Sequence, residues 1–135
     1  MNFWLVKSEP DVYSFERLVA EGNARWDGVR NYQARNNLRA MKVGDLCLFY
    51  HSNEGKEMVG IAEVARESYQ DPTTDDKNWV VVDVKPHMKL KNPVSLAAMK
   101  ADPRLANLGL IRQSQLSVIK ISKEEFDIIL SLSEI

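Results

Sequence analysis

The hydrophobic positions of this chain fall in short runs, and most of those runs have the length and side chains of strands. Phe3 to Val6 is apolar and aromatic and reads as a buried strand, which Lys7-Ser8-Glu9-Pro10 ends because the residue before a proline avoids helix and the proline lacks a donor. Leu46 to His51 is apolar on both faces, as a central strand would be, and Met58 to Val64 follows across an Asn53-Glu54-Gly55-Lys56 turn, so the two predict a hairpin. Ser68 to Asn78 is polar and reads as a surface loop. Trp79 to Val84 is β-branched and strand-like, with Trp79 assigned to the core, and Leu116 to Ile121 is the last strand.

Helical spacing appears between these runs. Ser14 precedes a helix over Phe15 to Glu21, with Phe15, Leu18 and Val19 on one face and Gly22 as its stop. Asn31 suits the N-cap of a short helix through Tyr32, Ala34, Asn36 and Leu38. Asn92-Pro93 and Asp102-Pro103 bracket a helix over Leu96 to Lys100, and a further helical turn is expected at Pro103 to Asn107. Ser122 with Glu125 forms a capping box for a terminal helix whose Phe126, Ile129 and Leu130 face inward. The sum is an α+β domain of about five mostly antiparallel strands with short helices inserted between them. A small mixed barrel is the natural way to cover so many short apolar strands. With 135 residues, the chain is expected to be one domain over 1–135.

One stretch fits neither period. Trp26-Asp27-Gly28-Val29-Arg30-Asn31-Tyr32-Gln33-Ala34-Arg35-Asn36 mixes aromatics, arginines and amides without alternation. Gly28 permits a positive φ or a close backbone approach. An aromatic wall beside amide groups suits a planar, polar, uncharged ligand such as a nucleobase. The competing reading is a loop whose Trp26 plugs the core, and Tyr32 is open to the same alternative.

Charge refines this picture. The net charge of −1 excludes a protein that grips nucleic acid by bulk electrostatics. Locally, residues 25–42 carry five bases against one acid and residues 85–112 six against one, while residues 54–83 hold three bases against eight acids. Folding could bring the two basic segments onto one face. Cys47 stands alone, which removes a disulfide framework and a Cys/His metal spacing and points to a reducing setting, taken here as the cytoplasm. Neither a signal peptide nor a membrane span is expected, since no apolar run is long enough. No catalytic triad spacing, phosphate loop or metal motif appears, so no cofactor or metal is expected, and the module is read as a monomer.

Taken together, Trp4 to Pro10, Trp26 to Asn36, Phe49-Tyr50-His51-Ser52, Val59 to Val64 and Leu116-Ser117-Val118 resemble the EVE domain family in matching order over essentially the whole chain. The resemblance implies a PUA-like fold, related to the YTH and ASCH domains, with a pocket for a modified nucleobase of DNA or RNA. By analogy with YTH domains, Trp26 would be a cage wall. The ligand-binding candidates are Lys7, Ser8, Trp26, Asn31, Tyr32, Tyr50, His51 and Ser52, and those for the nucleic-acid backbone are Arg30, Arg35, Arg39 and Arg112. Lys7 could donate to a base carbonyl or phosphate, Ser8 could offer a hydroxyl, and Asn31 could pair with a base edge or cap its helix. His51 could hydrogen-bond, although a lone strand-end histidine is more often structural.

The family commonly places an arginine before Leu-Ser-Val and a proline soon after it. This chain has Gln115, Lys120 and Ile121 there, which leaves Arg112 to supply the phosphate contact. Two alternatives stand beside a base-binding module. One is an ASCH-like amidohydrolase for an acylated pyrimidine, with Lys7, Glu9 and Tyr50 cast in the catalytic roles. The other is a protein-interaction module.

Overall fold

The computed structural model describes residues 1–134. Among the described residues, six strands form one sheet: β1 (Phe3–Ser8), β2 (Ala24–Arg25), β3 (Leu46–His51), β4 (Glu57–Gln70), β5 (Val80–Ser95) and β6 (Val118–Ile121), in the spatial order β2-β5-β4-β3-β1-β6. Only the β1/β3 pair is parallel, with Phe3 opposite Leu46 and Ser8 opposite His51; the other pairs are antiparallel. The α+β class and the inserted helices are as the pattern predicts. The sheet, however, is open rather than a closed barrel, because its end strands β2 and β6 do not pair with each other. Helix α2 (Tyr32–Ala40) packs against both β5 and β6.

The β4/β5 hairpin is much longer than its apolar runs suggest. Register shifts interrupt the ladder at four places, and each extra residue breaks the alternation that would reveal a strand. The expected surface loop at Ser68 to Asn78 is therefore partly strand, with β4 reaching Gln70 and Asp71 fully buried. Pro86 and Pro93 fall within β5, which β2 lines only at Asp83 and Val84. A proline is tolerated on an edge that lacks a neighbour.

Helix α1 (Phe15–Glu21) begins at Ser14, whose side chain accepts from the Arg17 amide, and ends at Gly22 with φ 78°. Phe15 and Leu18 are buried as predicted, but Val19 is exposed. Phe15 lies directly over Gly60, where an added Cβ would come within 2.4 Å of its ring. This position needs glycine for space, not for φ. Helix α2 is capped by Asn31, whose Oδ1 accepts from the Ala34 amide at 2.9 Å. Helix α3 (Leu96–Ala101), a 3-10 turn at Pro103–Leu105 and helix α4 (Gly109–Arg112) precede β6. Helix α5 (Lys123–Ser133) carries the predicted Ser122/Glu125 capping box.

The core is one continuous cluster in which Trp4, Leu5, Phe49, Leu48, Met58 and Ile61 are almost wholly buried. The Trp4 indole N–H donates to buried Asp45 at 3.0 Å, and Asp45 also accepts from the amides of Asn2 and Lys42. These partners outweigh the burial that would raise its carboxyl pKa, so the pKa is lowered.

Candidate functional site

A cavity of about 650 Å³ opens between the end of β1, helix α1 and the loop that follows β2. Its size falls in the ordinary range for small-ligand sites. Trp26 supplies an aromatic wall. Its backbone N–H donates to Val82 at 2.8 Å, and its ring meets Phe49 (5.5 Å between centroids) and Tyr13 (6.5 Å) edge to face, both at 86°. Phe49 belongs to the buried core, so Trp26 is half-buried and fixed in orientation while still lining the cavity.

The loop carrying Trp26 is held from the far end of the long hairpin. Gly28 has φ 79°, and its N–H donates to Asp71 Oδ2 at 3.1 Å; the Arg30 guanidinium donates to the same oxygen at 2.9 Å. Asp71 Oδ1 accepts from the Thr73 amide and hydroxyl at 2.8 and 2.6 Å. Burial opposes ionisation of Asp71, but these four hydrogen bonds overcome it and hold the carboxyl well below the usual carboxylate range. Such a buried, fully bonded carboxylate is a rigid clasp.

Lys7 and Ser8 line the same cavity, at the end of β1. The Lys7 ammonium donates to the Ser114 carbonyl, and partial burial lowers its pKa. The Ser8 hydroxyl donates to Tyr13 O at 2.6 Å, leaving its lone pairs unused by that bond. Tyr13 Oη donates to Glu21 at 2.7 Å, and Arg17 pairs with Glu21 while lying over the Tyr13 ring at 4.9 Å. Burial, with the Glu21 bond and charge added, pushes the Tyr13 phenol up to about 12, so it remains a neutral donor. The cavity therefore offers an aromatic face, one ammonium, a hydroxyl and ion-paired arginines. That set suits a polar planar group attached to an anionic chain.

The candidates drawn from the sequence divide into four sets. Lys7, Ser8, Trp26 and Arg30 line the cavity together. Asn31 and Arg112 line a separate groove of about 330 Å³ with residues 113–116, reached past the Lys7–Ser114 bond. There Asn31 is occupied as the α2 cap and Arg112 donates to Asn107. Tyr50, His51 and Ser52 are not among the cavity's lining residues: Tyr50 and His51 are buried, His51 Nε2 accepts from the Phe15 amide, and the Ser52 amide bonds Ser8 O. Tyr32, Arg35 and Arg39 sit on α2, outside the cavity, with Tyr32 58% exposed. Trp79, assigned to the core from its sequence, is only half-buried and packs on Tyr32.

Helix α2 comes close to the end of the second basic segment, where Gln33 donates to Gln113, the residue after Arg112, at 3.1 Å. Lys89 is placed elsewhere, opposite Gly60 in the hairpin. Sequence reasoning missed Tyr13, Arg17, Glu21 and Asp71. Among the described residues, no group of His, Cys, Asp and Glu could hold a metal, and no helix is long and apolar enough to cross a membrane.

The chain is 38% identical to mouse thymocyte nuclear protein 1, over 98% of this chain and 74% of that protein. Its fold is similar to a crystal structure of a protein from Agrobacterium tumefaciens (TM-score 0.97, 45% identity, 98% of this chain and 93% of that one). It is also similar to human THYN1 in complex with DNA containing 5-methylcytosine (TM-score 0.93, 36% identity, 100% of this chain and 99% of that one). The EVE domain model matches residues 2–132, and this chain belongs to the EVE domain family.

Proposed function

We propose that this protein is a nucleic-acid-binding module that holds a modified nucleobase, a methylated cytosine in DNA or a similar base, in the Trp26 cavity. The observation that carries the reading is an indole ring fixed edge-on by Phe49 and Tyr13 on a wall of a cavity that also holds Lys7 and Ser8. The human relative bound to 5-methylcytosine DNA supports it. In this reading the base stacks on Trp26, Ser8 and the neighbouring backbone meet its edge, and Lys7 meets a carbonyl or the adjoining phosphate. Arg112 and the amides of the adjacent groove follow the strand away from the cavity.

The module acts by binding and not by turnover. Of the three residues an amidohydrolase would use, Lys7 lines the cavity but Glu9 and Tyr50 do not. We place it in the cytoplasm as a monomer without a metal, in keeping with the buried free thiol of Cys47.

With the arginines of the site already ion-paired, affinity for an unmodified strand is weak and falls with salt, while the modified base supplies discrimination. Titrating matched oligonucleotides, with and without one 5-methylcytosine, at two salt concentrations tests this. Tighter binding of the modified strand at both salts is expected, and equal affinities would remove the proposal.

A further inference from the structure

Beside the cavity, four side chains form a continuous stack that meets the base pocket only at Arg30. The Arg35 guanidinium lies 4.9 Å from the Tyr32 ring centroid, Tyr32 lies 5.0 Å from Trp79 with 31° between planes, and the Arg30 guanidinium lies 5.6 Å from Trp79. One end of the stack is therefore Arg30, which also lines the Trp26 cavity and is anchored on Asp71. The other end is Arg35, whose guanidinium lies over the Tyr32 ring, and Tyr32 itself is 58% exposed. Arg35 is held there by Asn36 Oδ1 and the Asn78 carbonyl, both exposed contacts.

Packing of α2 against the core does not require this arrangement. Ala34 and Leu38 are the buried residues of α2, and Tyr32 stands on the solvent side of them. Neighbouring acids Asp75 and Asp76 keep the patch from being a strong cation field, and Asp76 is engaged with Asn78. Attraction of a polyanion by charge alone is thus a poor account of it. Aromatic rings and guanidinium planes, by contrast, are the surfaces on which unpaired bases stack, whatever their identity. Because the stack ends at the cavity wall, a strand whose modified base enters the cavity would carry the next base to this patch.

We propose that the exposed Tyr32 side chain, with the Arg35 guanidinium over it and Trp79 behind it, is a stacking platform for the nucleobase adjacent to the one held in the Trp26 cavity. The inference rests on the cavity reading above. It makes recognition a two-nucleotide event in which the first base is selected by the cavity and the second is accepted without regard to sequence.

The test uses single-stranded oligonucleotides with one 5-methylcytosine and either natural neighbours or an abasic residue on one side or the other. Affinities are measured for the parent, Tyr32→Ala and Tyr32→Phe, with melting temperatures on the same preparations. In the parent, one of the two abasic strands should bind roughly 5- to 150-fold more weakly, the usual worth of one stacked base. Tyr32→Ala should lose a similar factor on the natural strand and nothing further on that abasic strand, and Tyr32→Phe should keep most of the affinity. Losses that simply multiply, or a Tyr32→Ala protein that binds every strand like the parent, would overturn the platform and leave the cavity reading intact. A parent that does not prefer the 5-methylcytosine strand over its unmodified match would overturn both.

Discussion

Arg30 and Asp71, 41 positions apart in the chain, meet at 2.9 Å with the carboxylate fully buried and the guanidinium 40% exposed. The same carboxylate oxygen receives the Gly28 amide, so the loop that carries Trp26 is fastened to the tip of the β4/β5 hairpin. Much of Arg30's hydrogen-bonding capacity is spent on this clasp and on Val29 O, and its remaining bond is to Thr73. Arg30 is thus placed to position the cavity wall more than to grip a phosphate.

The clasp gives a pH dependence whose sign is set by the depressed Asp71 pKa. A carboxyl whose folded pKa lies below its unfolded value, roughly 3.9, adds stability that is fully present above that value and is lost as pH falls through the folded one. The parent should therefore lose melting temperature progressively on acidification below about pH 4. Asp71→Asn should lower stability at neutral pH by roughly 2–3 kcal/mol, the scale of charge-assisted hydrogen bonds, and flatten the acid limb. Thermal melts from neutral to strongly acid pH check both; parallel acid limbs in the two proteins would contradict the assignment.

Lys7 responds in the opposite pH range. Partial burial lowers its pKa, so the charged form is penalised in the fold and stability rises as pH climbs from the folded pKa towards the unfolded value of roughly 10.4. Binding should run the other way, weakening over that same alkaline window as the ammonium loses its proton. Lys7→Met should hold its melting temperature close to the parent's while weakening oligonucleotide binding and removing the alkaline loss. A variant whose affinity keeps the parent's pH profile would take Lys7 out of the interface.

Much of the scaffold was legible because single residues carry local rules. Asn31 and the Ser122/Glu125 pair announce helix starts through their side chains, and Gly22 announces a stop. Trp26 stood out because its surroundings match no period. The reach of the hairpin did not, since bulges scramble the alternation in β4 and polar residues dominate the second half of β5. Asp71 was unreadable for a different reason: its identity as a clasp depends on Gly28 and Arg30, more than forty positions away, and no local pattern encodes that pairing. Tyr13 sits in a turn after Pro10, where nothing in the sequence marks it as a neighbour of Trp26. Tyr50 and His51 end an apolar strand, which made them look like a rim. Parallel pairing of β3 with β1 puts them instead beside Lys7 and Ser8 with their side chains buried.

The half-buried ring of Trp26 acts, in the proposed function, as a ligand wall. This role is tested most directly by Trp26→Ala and Trp26→Phe, with melting temperature and 5-methylcytosine oligonucleotide affinity measured on the same preparations. Loss of one base stack should weaken binding of Trp26→Ala by roughly 1–3 kcal/mol, and Trp26→Phe should recover much of it because a π-face remains. Removing a wholly buried tryptophan instead costs ~3–5 kcal/mol of folding stability. A Trp26→Ala protein should stay folded, losing less stability than that, and no longer prefer the modified strand; a protein that keeps the preference undiminished, or that unfolds outright, would show that Trp26 is not a ligand wall.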